Sequence, residues 1–268
     1  MKVLRKHALS AVAACVVGLG TLGAVPAQAE IVQLGFILDS SGSITSTGWG
    51  TMKSGLANAM DVLLTGADTY EVTVVSFSNV AQTVLAPTIV TSLNIASVKS
   101  TITGASFLNS TTNYEAAFTL MNAKLTGSSN FSAGGKSYVN FATDGEPNLC
   151  NNGTTGTANG QTCGKAARDA LITAGIDNIS VEGIGVTGSG ATFLKSSICY
   201  PGPCDDTLPF NFPGQGFYIA VANPQGYADA IANKVRIVTN QVPEPASLAL
   251  VGLALLGAGL ARRHAKKA

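Results

Sequence analysis

The run Ile31 to Leu38, IVQLGFIL, is apolar at almost every position, and an Asp-Ser-Ser-Gly-Ser turn follows it at once. A strand with one wet face alternates polar and apolar residues. A run without alternation reads as a strand covered on both faces, as in a parallel sheet. Comparable strand signals recur at Tyr70 to Phe77, Tyr138 to Thr143, Ile179 to Val186 and Gly216 to Val221. Val80 to Ala86, stopped by Pro87, reads as a short edge strand. Between them lie helical patterns: Trp49, Met52, Leu56, Met60 and Leu63 on one stripe with Ser46 and Thr47 as caps, then Asn94 to Ile102, Asn113 to Leu125, Gly164 to Ala174, Ala191 to Ser197 and Pro224 to Val238. Alternating strands and helices predict an α/β fold: a doubly wound, mostly parallel, Rossmann-like sheet flanked by helices, with one short antiparallel edge strand. The Gly- and Asn-rich stretch Asn148 to Gly164 reads as a loop.

Both ends of the chain read as processing signals. Lys2, Arg5 and Lys6 precede an apolar run from Ala8 to Ala24, and Ala27-Gln28-Ala29 closes it, the layout of a secretory signal peptide over 1–29. An N-terminal membrane anchor is the alternative. At the other end Val242-Pro243-Glu244-Pro245 precedes apolar Leu248 to Ala261 and the basic tail Arg262 to Lys267. Fourteen such residues span about 21 Å as a helix, less than a bilayer core of about 30 Å. The order Pro-Glu-Pro, short apolar helix, basic cluster resembles the PEP-CTERM sorting signal of Gram-negative bacteria, here over 242–268. That resemblance implies a transient stay in the inner membrane, cleavage by an exosortase, and release to the cell surface or extracellular matrix. A generic tail anchor is the other reading.

Glu30 to Gln241 remain, a length suited to one domain. The whole chain is near neutral, at +1, because seven of its 16 basic residues sit in the two ends. The part between carries nine basic and fourteen acidic residues, near −5, with no Lys/Arg cluster. Nucleic acid is therefore excluded as a partner, since its binding rests on phosphate neutralisation. Four cysteines remain there: Cys150, Cys163, Cys199 and Cys204. An even count in an exported domain reads as two disulfides, and local pairing (150 with 163, 199 with 204) is the simplest of three connectivities. A four-thiolate zinc site is the rival, without the usual knuckle spacing.

Ligands of a parallel sheet gather beyond the C-terminal ends of its strands. The first strand ends in Asp39-Ser40-Ser41-Gly42-Ser43 and the fourth in Asp144-Gly145-Glu146, while Thr111-Thr112-Asn113 opens a helix on the same face. Asp39, Ser41, Ser43, Thr112 and Asp144 thus converge. Their oxygens are hard ligands that suit Mg²⁺, Mn²⁺ or Ca²⁺. Alternate residues of a tight loop can face one ion, and Gly42 lets that loop turn without a Cβ clash. Each piece alone has a plainer reading as a turn or a cap.

Together they resemble the metal-ion-dependent adhesion site of von Willebrand factor type A (vWA) domains, Asp-x-Ser-x-Ser, Thr, Asp, and the resemblance covers Glu30 to Val238. It implies a vWA fold over 30–241, a divalent cation (Mg²⁺ foremost) held at Asp39, Ser41, Ser43, Thr112 and Asp144, and adhesion to a protein or matrix ligand offering a carboxylate. Thr111 is the alternative to Thr112 as the threonine of this pattern. Glu146 stands beside the site, either shaping ligand choice or serving as a solvated loop charge.

Gly183-Ile-Gly185-Val-Thr-Gly188 matches a dinucleotide-binding pattern, but it falls late in the fold with two of its glycines inside the expected strand. The only histidines, His7 and His264, lie in the two ends, so the domain cannot build a Ser-His-Asp triad or a His-ligated zinc. The expectation is a binding protein, not an enzyme. The rivals are a structural matrix protein whose metal only ties loops together and, less so, a carboxylate-based metal-dependent hydrolase.

Overall fold

The computed structural model describes residues 31–239 apart from 67 and 205. The expected signal peptide and sorting signal lie outside the described residues. The strands are β1 (Ile31–Asp39), β2 (Thr69–Phe77), β3 (Ala81–Ile89), β4 (Ser137–Thr143), β5 (Asn178–Ile184) and β6 (Tyr218–Val221). The helices are α1 (Thr45–Ala59), α2 (Ile95–Thr103), α3 (Tyr114–Thr126), α4 (Thr157–Thr173), α5 (Gly188–Phe193) and α6 (Pro224–Val238). Six strands form one sheet in the order β3-β2-β1-β4-β5-β6, parallel except where β3 runs against β2. The fold is the doubly wound α/β arrangement that the alternation of elements predicts. Among the described residues no helix is long and apolar enough to cross a membrane.

Strand alternation explains why β1 carries no polar face. Val32, Leu34, Phe36 and Leu38 enter one core with Trp49, Met52 and Leu56 of α1 and Tyr227 and Ile231 of α6. Ile37 enters the other with Phe118 and Met121 of α3 and Phe141 of β4. Burying each such side chain contributes about 1.5–3 kcal/mol. Gly35 is the exception that packing requires: a Cβ there would lie 2.8 Å from the Met121 sulfur. Winding outward from β1 in both directions opens a crevice beyond the ends of β1 and β4, and the acidic loops leave the sheet there.

Several boundaries differ from the sequence reading. Ser46 and Thr47 do not cap α1 but lie within it, the N-cap position falling on Ile44, and in the first turn the Thr45 hydroxyl accepts from Gly48 N at 3.2 Å. β3 spans nine residues and continues through Pro87 to Ile89. As an edge strand it has β2 as its one neighbour, and its pairing shifts register on either side of Val74, so proline costs the ladder little. α4 starts at Thr157, seven residues before Gly164, so half of the expected loop is helix. Its glycines serve packing: a Cβ at Gly160 would meet Pro147 O at 2.5 Å and one at Gly164 would meet Tyr114 Cβ at 2.7 Å. α5 begins at Gly188 and passes into a π-helical turn at Leu194–Ile198, and β6 begins two residues later than expected. The cysteines pair locally, Cys150 with Cys163 and Cys199 with Cys204, which removes the four-thiolate zinc alternative.

Candidate metal centre

Asp39 is the last residue of β1 and is fully buried. One carboxylate oxygen accepts from Ser41 N at 2.8 Å and the other from the Thr143 hydroxyl at 2.7 Å. Ser41 Oγ lies 3.1 Å from Ser43 Oγ, and Ser43 Oγ donates to Asp144 Oδ1 at 2.8 Å. A continuous path of side-chain and turn hydrogen bonds therefore joins Asp39, Ser41, Ser43 and Asp144 across the crevice. Gly42 opens a short 3-10 turn, Gly42–Ile44. What it permits is close approach: its N–H donates to Ser110 O at 2.9 Å, and a Cβ would crowd Asn109 Oδ1 at 3.3 Å.

Thr112 belongs to the second loop and is 6% exposed, whereas Thr111 is exposed. The Thr112 backbone is clamped by Asn148, donating to its side-chain oxygen at 3.1 Å and accepting from its N–H at 2.9 Å. Among the described residues no hydrogen bond joins the Thr112 hydroxyl to the other four. Asn113 begins α3 as its cap, its side chain accepting from Ala116 N at 3.0 Å, which fixes where the helix starts after Thr112.

No pattern along the chain marks the residues that hold these loops. Ser40 Oγ accepts from Leu108 N, and Ser78 Oγ accepts from Ser110 N while donating to Thr111 O, each at 2.9 Å. The hydroxyl of buried Tyr114 donates to Gly145 O at 2.5 Å and lies 3.1 Å from Thr143 Oγ1, which pins the loop carrying Asp144. Tyr114 itself stands on Phe141, with ring centroids 4.7 Å apart. A hydroxyl or phenol two or more loops away in sequence leaves no local signature, so only the fold reveals these supports. Glu146 is packed as well: Gln161 Nε2 donates to it at 3.3 Å, and it lies against Gly190.

Burial, with the negative charge of Asp144 beside it, pushes the Asp39 carboxyl up to about 6. Burial also raises Asp144, partly offset by the Ser43 hydrogen bond. Two carboxylates and neutral hydroxyls, brought together where ionisation is disfavoured, form a donor set that suits a hard divalent cation. Gly183, Gly185 and Gly188 form no phosphate cradle. Only Gly183 lies in β5, and the Tyr218 hydroxyl fills the place beside it that a Cβ would take.

The von Willebrand factor type A domain model matches residues 33–192, and the PEP-CTERM protein-sorting motif matches residues 241–263. No curated protein matches the chain. Among solved structures, proximal thread matrix protein 1 from the mussel byssus superposes with a TM-score of 0.59 at 14% identity, over 79% of this chain and 49% of that one. A second structure of the mussel protein, described as having a zinc-occupied MIDAS motif, gives 0.58 at 15% identity, over 79% and 48%. The pilus adhesin SpaC from Lactobacillus rhamnosus GG gives 0.59 at 12% identity, over 79% and 31%. The chain spans about half or less of the length of these proteins, and at such identities the likeness concerns the fold. The family match itself covers more than half of the chain, from within β1 to the end of β5 and beyond, so the chain belongs to the von Willebrand factor type A domain family.

Proposed function

We propose that this is an exported surface or extracellular-matrix protein that binds an acidic group of a protein or matrix ligand through a divalent cation, with no bond made or broken. The observation that carries the reading is the hydrogen-bonded set Asp39–Ser41–Ser43–Asp144 at the sheet's C-terminal edge, with Thr112 buried on the neighbouring loop. In this reading those five residues hold the ion, Mg²⁺ foremost, with Mn²⁺ or Ca²⁺ as substitutes. Two carboxylates roughly neutralise the ion and uncharged hydroxyls complete the protein's share, which leaves it electrophilic toward an incoming carboxylate. The matched sorting motif supports export and exosortase processing in a Gram-negative cell. The matrix and pilus proteins among the structural neighbours support a role in adhesion without enzymatic activity.

Titration calorimetry with Mg²⁺ and Mn²⁺ on wild type and Asp39→Ala tests the site. Binding by wild type alone supports it, and equal binding by both sinks it. The matrix name of the mussel neighbour favours a second reading, in which the metal only stabilises loops. Capture of surface-fraction proteins with Mg²⁺ and release by EDTA would favour adhesion. A metal-dependent rise in melting temperature without any captured partner would favour scaffolding.

A further inference from the structure

Away from the metal centre, on the sheet face covered by α6, three reactive groups share one buried place. Asn140 lies on β4 and Glu182 on β5, and because Asn140 pairs with Ser180 and Ala142 with Glu182, both side chains leave the same face of the sheet. Lys234 reaches them from the buried side of α6. Its Nζ lies 2.6 Å from Glu182 Oε2, with the two side chains 1% and 0% exposed. Asn140 Nδ2 donates to the other oxygen of the same carboxylate at 3.3 Å. Asn140 Oδ1 is buried with no hydrogen-bond partner among the described residues. The Phe217 ring stands 5.2 Å from Lys234 Nζ. Asn140 and Lys234 also line one narrow cavity with Leu34, Phe36 and Val235, and its volume of about 10 Å³ holds at most a single water.

A lysine buried against one carboxylate is a costly way to hold a helix, since apolar side chains of similar size would serve as well or better. The arrangement has the parts of an aminolysis: an amine, an amide carbonyl, and a carboxyl group between them in a dry pocket. We propose that Lys234 and Asn140 become joined by an intramolecular isopeptide bond, with Glu182 as the acid–base group.

Burial brings the Lys234 ammonium down to about 8 and pushes Glu182 up, so the pair is drawn toward neutral amine and carboxylic acid by transfer of one proton. The neutral amine is the nucleophile. Its lone pair attacks Asn140 Cγ while Glu182 delivers its proton to Oδ1, the atom that lacks a partner. A turn of the amide about its last bond brings Oδ1 to the acid. Glu182 then takes a proton from the attacking nitrogen and passes it to Nδ2. The Cγ–Nδ2 bond breaks as the carbonyl re-forms and Oδ1 returns its proton to Glu182, ammonia leaves, and the Nζ–Cγ amide remains beside a neutral Glu182. No oxidant or cofactor is needed, and two buried charges are replaced by one amide.

The test is intact-mass spectrometry and peptide mapping of the purified, folded full chain, with Glu182→Gln and Asn140→Ala beside it and circular dichroism to show that each is folded. The expected result is a wild-type protein lighter by one ammonia, a branched peptide joining the segments of Asn140 and Lys234, and full sequence mass in both variants. A folded wild type of full sequence mass, with separate Asn140 and Lys234 peptides after prolonged incubation at pH 8, would overturn the proposal. So would an ammonia loss that maps to Asn152-Gly153 or Asn159-Gly160, where a succinimide accounts for the same mass. If Glu182→Gln does not fold, Asn140→Ala alone decides, because it removes the electrophile and leaves the ion pair in place.

Discussion

Ser43 Oγ donates to Asp144 Oδ1 at 2.8 Å, joining two loops that lie 101 residues apart in the chain. The bond is exposed, so its own contribution to stability is small, about 0.5–1.5 kcal/mol. Its value is positional: it holds one hydroxyl and one carboxylate where a cation would need both.

Replacing Ser43 by Ala or Asp144 by Asn should therefore leave the metal-free protein within about 1 kcal/mol of wild type. Each should weaken Mg²⁺ binding at least tenfold, equivalent to about 1.4 kcal/mol. Denaturant melts in EDTA and calorimetry with Mg²⁺ check the two halves separately.

The metal-free protein should lose stability as the medium becomes less acidic. The Asp39 carboxyl titrates at about 6 in the folded chain against 3.8 for the free group, so its stabilising effect is complete below about pH 4 and is gone above about pH 6. A fully buried carboxyl displaced this far changes stability by about 3 kcal/mol across that window. Melts in EDTA between pH 4 and pH 7 should show the decline. Adding Mg²⁺ should restore stability at pH 7 far more than at pH 4, because the ion competes with the proton for the carboxylate.

Tyr114→Phe should cost about 0.5–1.5 kcal/mol by removing the phenol's hydrogen bonding to Thr143 Oγ1 and Gly145 O, both of which keep other partners. The phenyl ring keeps its packing on Phe141, so the fold should persist. Mg²⁺ affinity should fall with it, because the loop carrying Asp144 loses its anchor. Calorimetry on the folded variant reads this directly.

Removing the Cys150–Cys163 bridge as a double Ser variant should lower stability by about 3 kcal/mol, as expected for a closed loop of this size. The bridge spans 13 residues and ties the loop after β4 to the first half of α4. Denaturant midpoints of the variant and of oxidised wild type measure the difference, and reduced wild type, which also loses Cys199–Cys204, should unfold no later than the variant.

Much of this architecture can be read along the chain because burial on both faces writes itself into local composition. β1, β2 and β4 are runs in which nearly every residue is buried, and apolar residues dominate them. The five ligand candidates can be picked out along the chain because each lies at or next to a strand end or helix start, and in the fold hydrogen bonds join four of them, Asp39, Ser41, Ser43 and Asp144. The start of α4 is not legible in this way, because Gly160 and Gly164 lower helix propensity while giving Pro147 and Tyr114 room to approach. The same holds for β3, where tolerance of Pro87 depends on having no neighbour beyond it. Asn140, Glu182 and Lys234 come from three separate elements, and nothing in the sequence marks them as a group.

Helix α6 also decides how the molecule would carry a load. It starts beside the candidate metal loops, where Pro224 packs on Gly48 at the head of α1, and runs back until Val238 lies with Leu34 and Tyr138 near the opposite rim of the sheet. The segment matched as a sorting motif begins three residues later, at 241. A ligand gripped at one pole and a tether leaving from the other would place the whole sheet in series with any pull between them. The hold of Lys234 of α6 on the sheet, at Glu182 of β5 and Asn140 of β4, would then set how much tension the domain bears.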